Sequence, residues 1–142
     1  MNRRFLFEGK TTKAIVEYGE DKSVHKIEFY GDDIMGKGWF LDNLPRGTIL
    51  LEGFIKEWHG RIKVTEMPPD LSFVRFWEVY GYKVGKKEKV IQLWQALSDE
   101  DRAKCLLKIP IYKQWLAQKP NMERLYPQTF LSQRRWENDF RL

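Results

Sequence analysis

The chain has 142 residues, of which 42% are hydrophobic and 15% aromatic, enough for one or two small domains with a sizeable core and too apolar for a disordered chain. Its single cysteine, Cys105, excludes an internal disulfide and fits a reducing cytoplasm. No apolar run approaches the length of a membrane span. The start, Met1-Asn2-Arg3-Arg4-Phe5-Leu6-Phe7, lacks the long apolar stretch and small-residue cleavage site of a signal peptide, so the chain reads as cytoplasmic with no membrane partner.

The net charge of +5 is unevenly placed. Residues 1–69 hold 11 Lys and Arg against 11 Asp and Glu, whereas residues 70–142 hold 14 against 9. A surplus confined to one half suits either an anionic partner such as nucleic acid or a solvated surface.

In chain order, Phe5-Leu6-Phe7 is a short apolar run before the turn-prone Gly9. Residues 12–18 place Ala14, Val16 and Tyr18 on one face, residues 19–23 form a turn, and residues 24–30 are rich in β-branched and aromatic side chains, which together predict a hairpin. Gly31-Asp32-Asp33 breaks the strand. Phe40, Leu41 and Leu44 share a helical face that Pro45 would end. Residues 48–58 alternate partly and predict a strand with a bulge at Gly53. A tight turn at His59-Gly60 and a second strand at residues 61–65 complete a second hairpin. Four strands and a short helix make a small sheet, with a partly open OB-like barrel as the rival architecture.

Pro68-Pro69 is a stiff spacer between a β-rich unit, residues 1–67, and a helical unit, residues 70–142. Asp70 or Ser72 caps a helix carrying Phe73, Phe76, Trp77 and Tyr80 on one face, and Gly81 ends it. The stretch Gly81-Tyr82-Lys83-Val84-Gly85-Lys86-Lys87 is not a phosphate loop: three residues rather than four separate its glycines, no Ser or Thr follows the lysines, and a helix precedes it where a strand is required. A helix from Lys87 to Leu97 follows. Ser98 caps the next, which kinks or restarts at Pro110. Pro127 opens a final helix anchored by Phe130 and Leu131, with Arg134 and Arg135 near its end. The expected class is therefore α+β, a small antiparallel β-rich unit followed by a bundle of about four helices.

Five motifs of the second half form one pattern: Phe76-Trp77-x-x-Tyr80; Lys83-x-Gly85-Lys86-Lys87; Trp94-x-x-Leu97-Ser98; Tyr112; and Pro127-x-Thr129-Phe130-Leu131-x-x-Arg134-Arg135-Trp136-Glu137. This resembles the small helical module at the C-terminal end of phage and prophage replication proteins, including initiator and helicase-loader-like proteins. The whole chain resembles a stand-alone relative from mobile elements of Bacteroides-type bacteria. The resemblance implies a helical second half and a DNA-replication setting. It implies no activity, because the winged-helix or loader domain of the longer proteins has no counterpart here.

Lys83, Lys86, Lys87, Arg134 and Arg135 are the candidate contacts to a DNA or RNA backbone, since guanidinium forks and ammonium charges suit phosphate oxygens. The plainer alternative has the arginines satisfying helix-end carbonyls or pairing with Glu137 and Asp139. Trp77, Trp94 and Trp115 belong on apolar helix faces and hence in a core. Trp136 is expected to keep exposed surface for base stacking. Trp39 and Trp58 fit either a core or a ligand groove. His25 and His59 have no zinc spacing, Asp32-Asp33 reads as a solvated turn, and Cys105 as a buried thiol. With no catalytic motif and no metal or cofactor signature, the expectation is a non-enzymatic accessory protein of mobile-element DNA replication. The alternative is an adaptor that docks on a replication helicase or initiator.

Overall fold

The structure is a computed structural model that describes residues 2–30 and 34–141. It divides into two compact units, Met1–Pro69 and Asp70–Leu142. The Asp32-Asp33 turn lies outside the described residues.

The first unit is an open four-stranded antiparallel sheet of order β3-β2-β1-β4, formed by β1 (Arg3–Glu8), β2 (Lys13–Tyr18), β3 (Val24–Tyr30) and β4 (Lys63–Glu66). The register pairs Phe5 with Val16 and Phe7 with Ala14, and with Tyr18 these residues make one buried face. Leu6 and Ile15, adjacent across the pair, are buried on the other face, so the middle of β1 reads as an unbroken apolar run. At the β2–β3 turn the Asp21 carboxylate accepts from the Ser23 backbone N–H and hydroxyl, a side-chain turn that lets Lys22 take a left-handed φ of 68°.

Two helices cover the Phe5–Phe7 face: α1 (Ile34–Asn43) and α2 (Leu51–Glu57), the latter entered through a single 3-10 turn, Thr48–Leu50. Phe7 meets Phe40 and Phe54 edge to face at 5.2 and 5.6 Å. Tyr18 donates its hydroxyl hydrogen bond to the Pro45 carbonyl at 2.7 Å, which anchors the end of α1 to the sheet.

Three expectations are overturned. Residues 48–57 are helical, with Trp58 as the C-cap, because Leu51, Phe54 and Trp58 recur at helical spacing and face the core, while Glu52 and Lys56 pair one turn apart on the solvent side. Gly53 is an exposed helix residue rather than a bulge. The second hairpin therefore does not exist: β4 pairs with β1, a connection that spans the two helices. Of the expected α1 face, Phe40 and Leu44 are buried and Leu41 is exposed.

The second unit contains α3 (Phe73–Tyr80), α4 (Lys87–Gln95), α5 (Asp99–Ala117) and α6 (Pro127–Ser132), then a 3-10 turn at Arg135–Glu137. Ser72 caps α3 by accepting from the Arg75 N–H, and Ser98 caps α5 by accepting from that of Asp101. Asp99, Glu100 and Asp101 place three carboxylates in the first turn of α5, where the helix dipole favours them. Gly81 ends α3 at φ 72°, a left-handed position that only glycine fills without strain. Pro110 neither ends nor restarts α5, which continues as one helix for 19 residues.

The core of this unit is aromatic. Trp94 stacks on Phe76 with ring centres 4.8 Å apart and donates its indole hydrogen bond to the Leu71 carbonyl. Tyr80, Tyr112 and Phe130 pack together beside them. The Tyr80 hydroxyl donates to the Leu125 carbonyl at 2.6 Å, and the Leu125 N–H donates to the Tyr112 hydroxyl at 3.0 Å. Residues 118–126, which have no helix of their own, are tied to α3 and α5 at Leu125 through both its N–H and its carbonyl. Burial keeps the Tyr80 hydroxyl protonated well beyond its ordinary range, so it remains a donor.

Two outcomes follow for stability. Phe7→Ala removes a ring that contacts both covering helices and should cost about 3–5 kcal/mol in urea unfolding. In the Arg3–Glu66 pair, the Arg3 Nε and Nη2 groups each donate to one Glu66 oxygen at 2.8 Å, and these bonds hold the Glu66 carboxyl below its ordinary 4.5. A depressed acid stabilises the fold above its unfolded value, and that contribution disappears as pH falls through the folded value. Glu66→Gln should therefore lower the melting temperature slightly at pH 7 and flatten its fall below about pH 4.5, so that the variant and the unaltered protein converge in acid.

Candidate nucleic-acid interface

Lys83 and Lys86 lie on the connection between α3 and α4, and Lys87 opens α4; all three are exposed. The ammonium of Lys87 sits 5.9 Å from the centre of the half-buried Trp77 ring, which holds this end of the connection against α3. Gly85 turns the chain at φ 89° and lies beside Tyr126.

Arg134 behaves differently. It is in the left-handed region at φ 50°, its Nη2 is 3.0 Å from Asp101 Oδ1, its Nε donates to Glu137 Oε1 at 2.7 Å, and its guanidinium lies over the Trp136 ring at 4.9 Å. The two carboxylates raise its pKa above the ordinary arginine value, the Glu137 hydrogen bond contributing most. Arg134 therefore joins the end of α6 to the first turn of α5, as in the carboxylate-pairing alternative. Arg135 is half-buried and donates through Nε to the Gln133 side chain at 2.9 Å.

Trp136 corrects an expectation. It is only 2% exposed and packs beside Phe130, so it has no surface on which a base could stack. The left-handed step at Arg134 turns the chain back and carries the indole into the core. Trp94 is equally buried, whereas Trp77 and Trp115 are half-buried against the same core.

Charge pairing separates the basic residues of this unit into two groups. Among the described residues, five of its nine carboxylates are in ion pairs, and these take up four of its fourteen cations: Arg102, Lys104, Arg134 and Arg141. The other ten have no carboxylate within 4.0 Å among the described residues, and Lys83, Lys86 and Lys87 belong to them.

Two further residues of this group went unnoticed in the sequence. The Arg124 guanidinium lies 4.9 Å from the Tyr80 ring centre and 5.3 Å from that of Tyr82. Its Nε and Nη2 atoms are sealed from solvent and have no hydrogen-bond partner among the described residues. A buried donor without an acceptor costs about 1–3 kcal/mol. Lys113, on α5, donates from Nζ to the Val79 carbonyl near the end of α3. Burial, and then the Arg124 charge, lower its pKa. Nothing local in Asn121-Met122-Glu123-Arg124-Leu125 marks Arg124; its partners lie more than 40 residues away in α3 and the residues after it.

In the first unit, Trp39 and Trp58 meet edge to face at 4.8 Å and line a largely apolar cavity of about 250 Å³ that also includes Phe7 and Arg61. Trp58 packs on the core through Phe54, and both rings line the opening. Among the described residues no three His, Cys, Asp or Glu side chains come together to hold a metal ion, and no helix is long and apolar enough to cross a membrane. Burial pushes the Cys105 thiol far up, which keeps it from acting as a thiolate.

Residues 68–134 match the family described as Legionella vir region protein LvrA C-terminal domain. The matched stretch is slightly less than half of the chain and falls on the helical unit. It is a similarity to a domain of mobile-element type and extends no further toward replication proteins. No curated protein and no solved structure matches the chain.

Arg134→Gln should lower the melting temperature by about 2–4 °C, the scale of a partly exposed pair strengthened by a second carboxylate. Cys105 should remain unreactive toward a thiol reagent in the native protein and react fully in denaturant.

Proposed function

We propose that this protein is a non-enzymatic accessory protein of phage or mobile-element DNA replication whose helical unit binds the nucleic-acid backbone. The observation that carries this reading is the exposed set Lys83, Lys86 and Lys87, none of which has a carboxylate within 4.0 Å among the described residues. Exposed ammonium groups on a short connection can each take up a phosphate and release counterions, with no base-specific contact required. Arg134 and Arg135 move from contacts to supports in this reading, and Trp136 leaves the interface altogether. The mobile-element setting draws support from the family match, and the replication setting from the motif resemblance.

The adaptor reading has its own observation. Leu107 and Ile111 lie one turn apart on α5 and are both about 40% exposed, an apolar pair suited to a protein partner. Such a complex would tolerate salt, whereas phosphate binding would not.

The test is a fluorescence-anisotropy titration with labelled single- and double-stranded DNA at low and moderate salt. Saturable binding should weaken at least tenfold in the triple variant K83E/K86E/K87E. The slope of log affinity against log salt should become shallower by up to about three. Equal affinity of the variant and the unaltered protein at low salt would overturn the assignment of these lysines.

A further inference from the structure

The cavity of the first unit lies where three segments converge: the β1–β2 turn at Lys10, α1 at Trp39 and Phe40, and the residues after α2 at Trp58 and Arg61. Its volume is about 250 Å³, and its lining is mainly apolar and includes the buried rings of Phe7 and Phe40. The Trp39 and Trp58 rings stand at 87° to each other, so two flat indole planes meet at a corner of the wall. An indole serving the core alone would be largely covered. Here Trp39 is 38% exposed and Trp58 is half-buried.

The charge at this cavity has one sign. Its lining includes Lys10 and Arg61 and no carboxylate. Both cations are exposed, and neither has a carboxylate within 4.0 Å among the described residues. The Arg61 guanidinium lies 5.6 Å from the centre of the Trp58 ring, which keeps its charge beside the indoles while its N–H groups face water. These features select a ligand. The volume falls just below the range for drug-sized molecules, so it admits one ring system. Aromatic walls favour a flat group with a π-face, and unpaired cations beside them favour an anion attached to that group. A nucleotide has both.

We propose that the Trp39–Trp58 cavity takes up one unpaired base of a single-stranded nucleic acid, with Arg61 and Lys10 meeting the adjoining phosphates. Stacking on indole tolerates any base, because every base has a π-face, so the site needs no sequence preference. A duplex is a poor ligand for it, since its bases are already stacked and paired and extruding one costs free energy. The site belongs to the β-rich unit, outside residues 68–134, and does not depend on the role assigned to Lys83, Lys86 and Lys87.

The test follows the indole ¹H–¹⁵N signals of Trp39 and Trp58 in the full chain. A short single-stranded oligothymidylate, an abasic strand of the same length, the matching duplex and an acidic peptide containing one tryptophan are titrated separately. A saturable shift of both signals with the oligothymidylate, and none with the abasic strand, is expected. The duplex should need about tenfold more to produce the same shift. Trp39→Ala, read at Trp58, should raise the midpoint about fivefold or more, the lower end of what one stacked base contributes. Arg61→Gln, at an exposed position where folding is retained, should make the slope of log affinity against log salt shallower by about one. No saturable shift with the oligothymidylate, an equal shift with the abasic strand, an unchanged midpoint in Trp39→Ala or an unchanged slope in Arg61→Gln would overturn the site. A saturable shift with the peptide alone would replace the nucleic acid by a protein partner. In K83E/K86E/K87E both indole shifts should persist even if the helical unit no longer holds DNA, so the two ideas can fail separately.

Discussion

Two tyrosine hydroxyls inside the helical unit need hydrogen-bond partners, and both find them at Leu125: Tyr80 donates to its carbonyl and Tyr112 accepts from its amide. A buried hydroxyl without a partner would oppose the packing of α3 against α5. That requirement fixes residues 118–126 more firmly than any helix propensity could. The neighbours of Leu125 inherit their positions from it. Arg124 is directed toward the Tyr80 and Tyr82 rings, and Tyr126 meets Tyr82 and starts α6.

From this lock the charge distribution gains its meaning. The carboxylates of the helical unit are concentrated at the start of α5, where the helix dipole and the Ser98 cap favour them, and near the C-terminal turn. Arg102, Lys104, Arg134 and Arg141 are used there to join one element to another or to a near neighbour. Among the described residues, the lysines on the connection after α3 and Arg124 beside Leu125 have no carboxylate partner. A net charge describes the sum of these two groups; the pairing shows which part of it remains available to an outside anion.

Local rules carried much of the fold. The β2–β3 hairpin, the caps at Ser72 and Ser98, the stop at Gly81 and the proline start of α6 depend on residues within a few positions of one another, so the sequence displays them directly. Residues 48–58 were misread because L-L-E-G-F-I-K-E-W satisfies a strand's composition and a helix's spacing at once, and only packing on Phe7 decides between them. The candidate site was less legible. The exposed lysines could be named from sequence, but the Arg134–Asp101 pair spans 33 positions and the burial of Trp136 depends on a left-handed step at a non-glycine residue. Arg124 was invisible for the same reason: its surroundings are assembled from α3, the residues following it and α5.

The end of β4 has a consequence for how the molecule meets copies of itself. β4 is an edge strand of only four residues, and soon after the Met67 N–H bonds the Arg4 carbonyl the chain enters Pro68-Pro69. Proline offers no N–H, so the hydrogen-bonding row stops there and an incoming strand finds very little template to extend. The same two residues that separate the units thus also protect this edge against sheet-to-sheet aggregation.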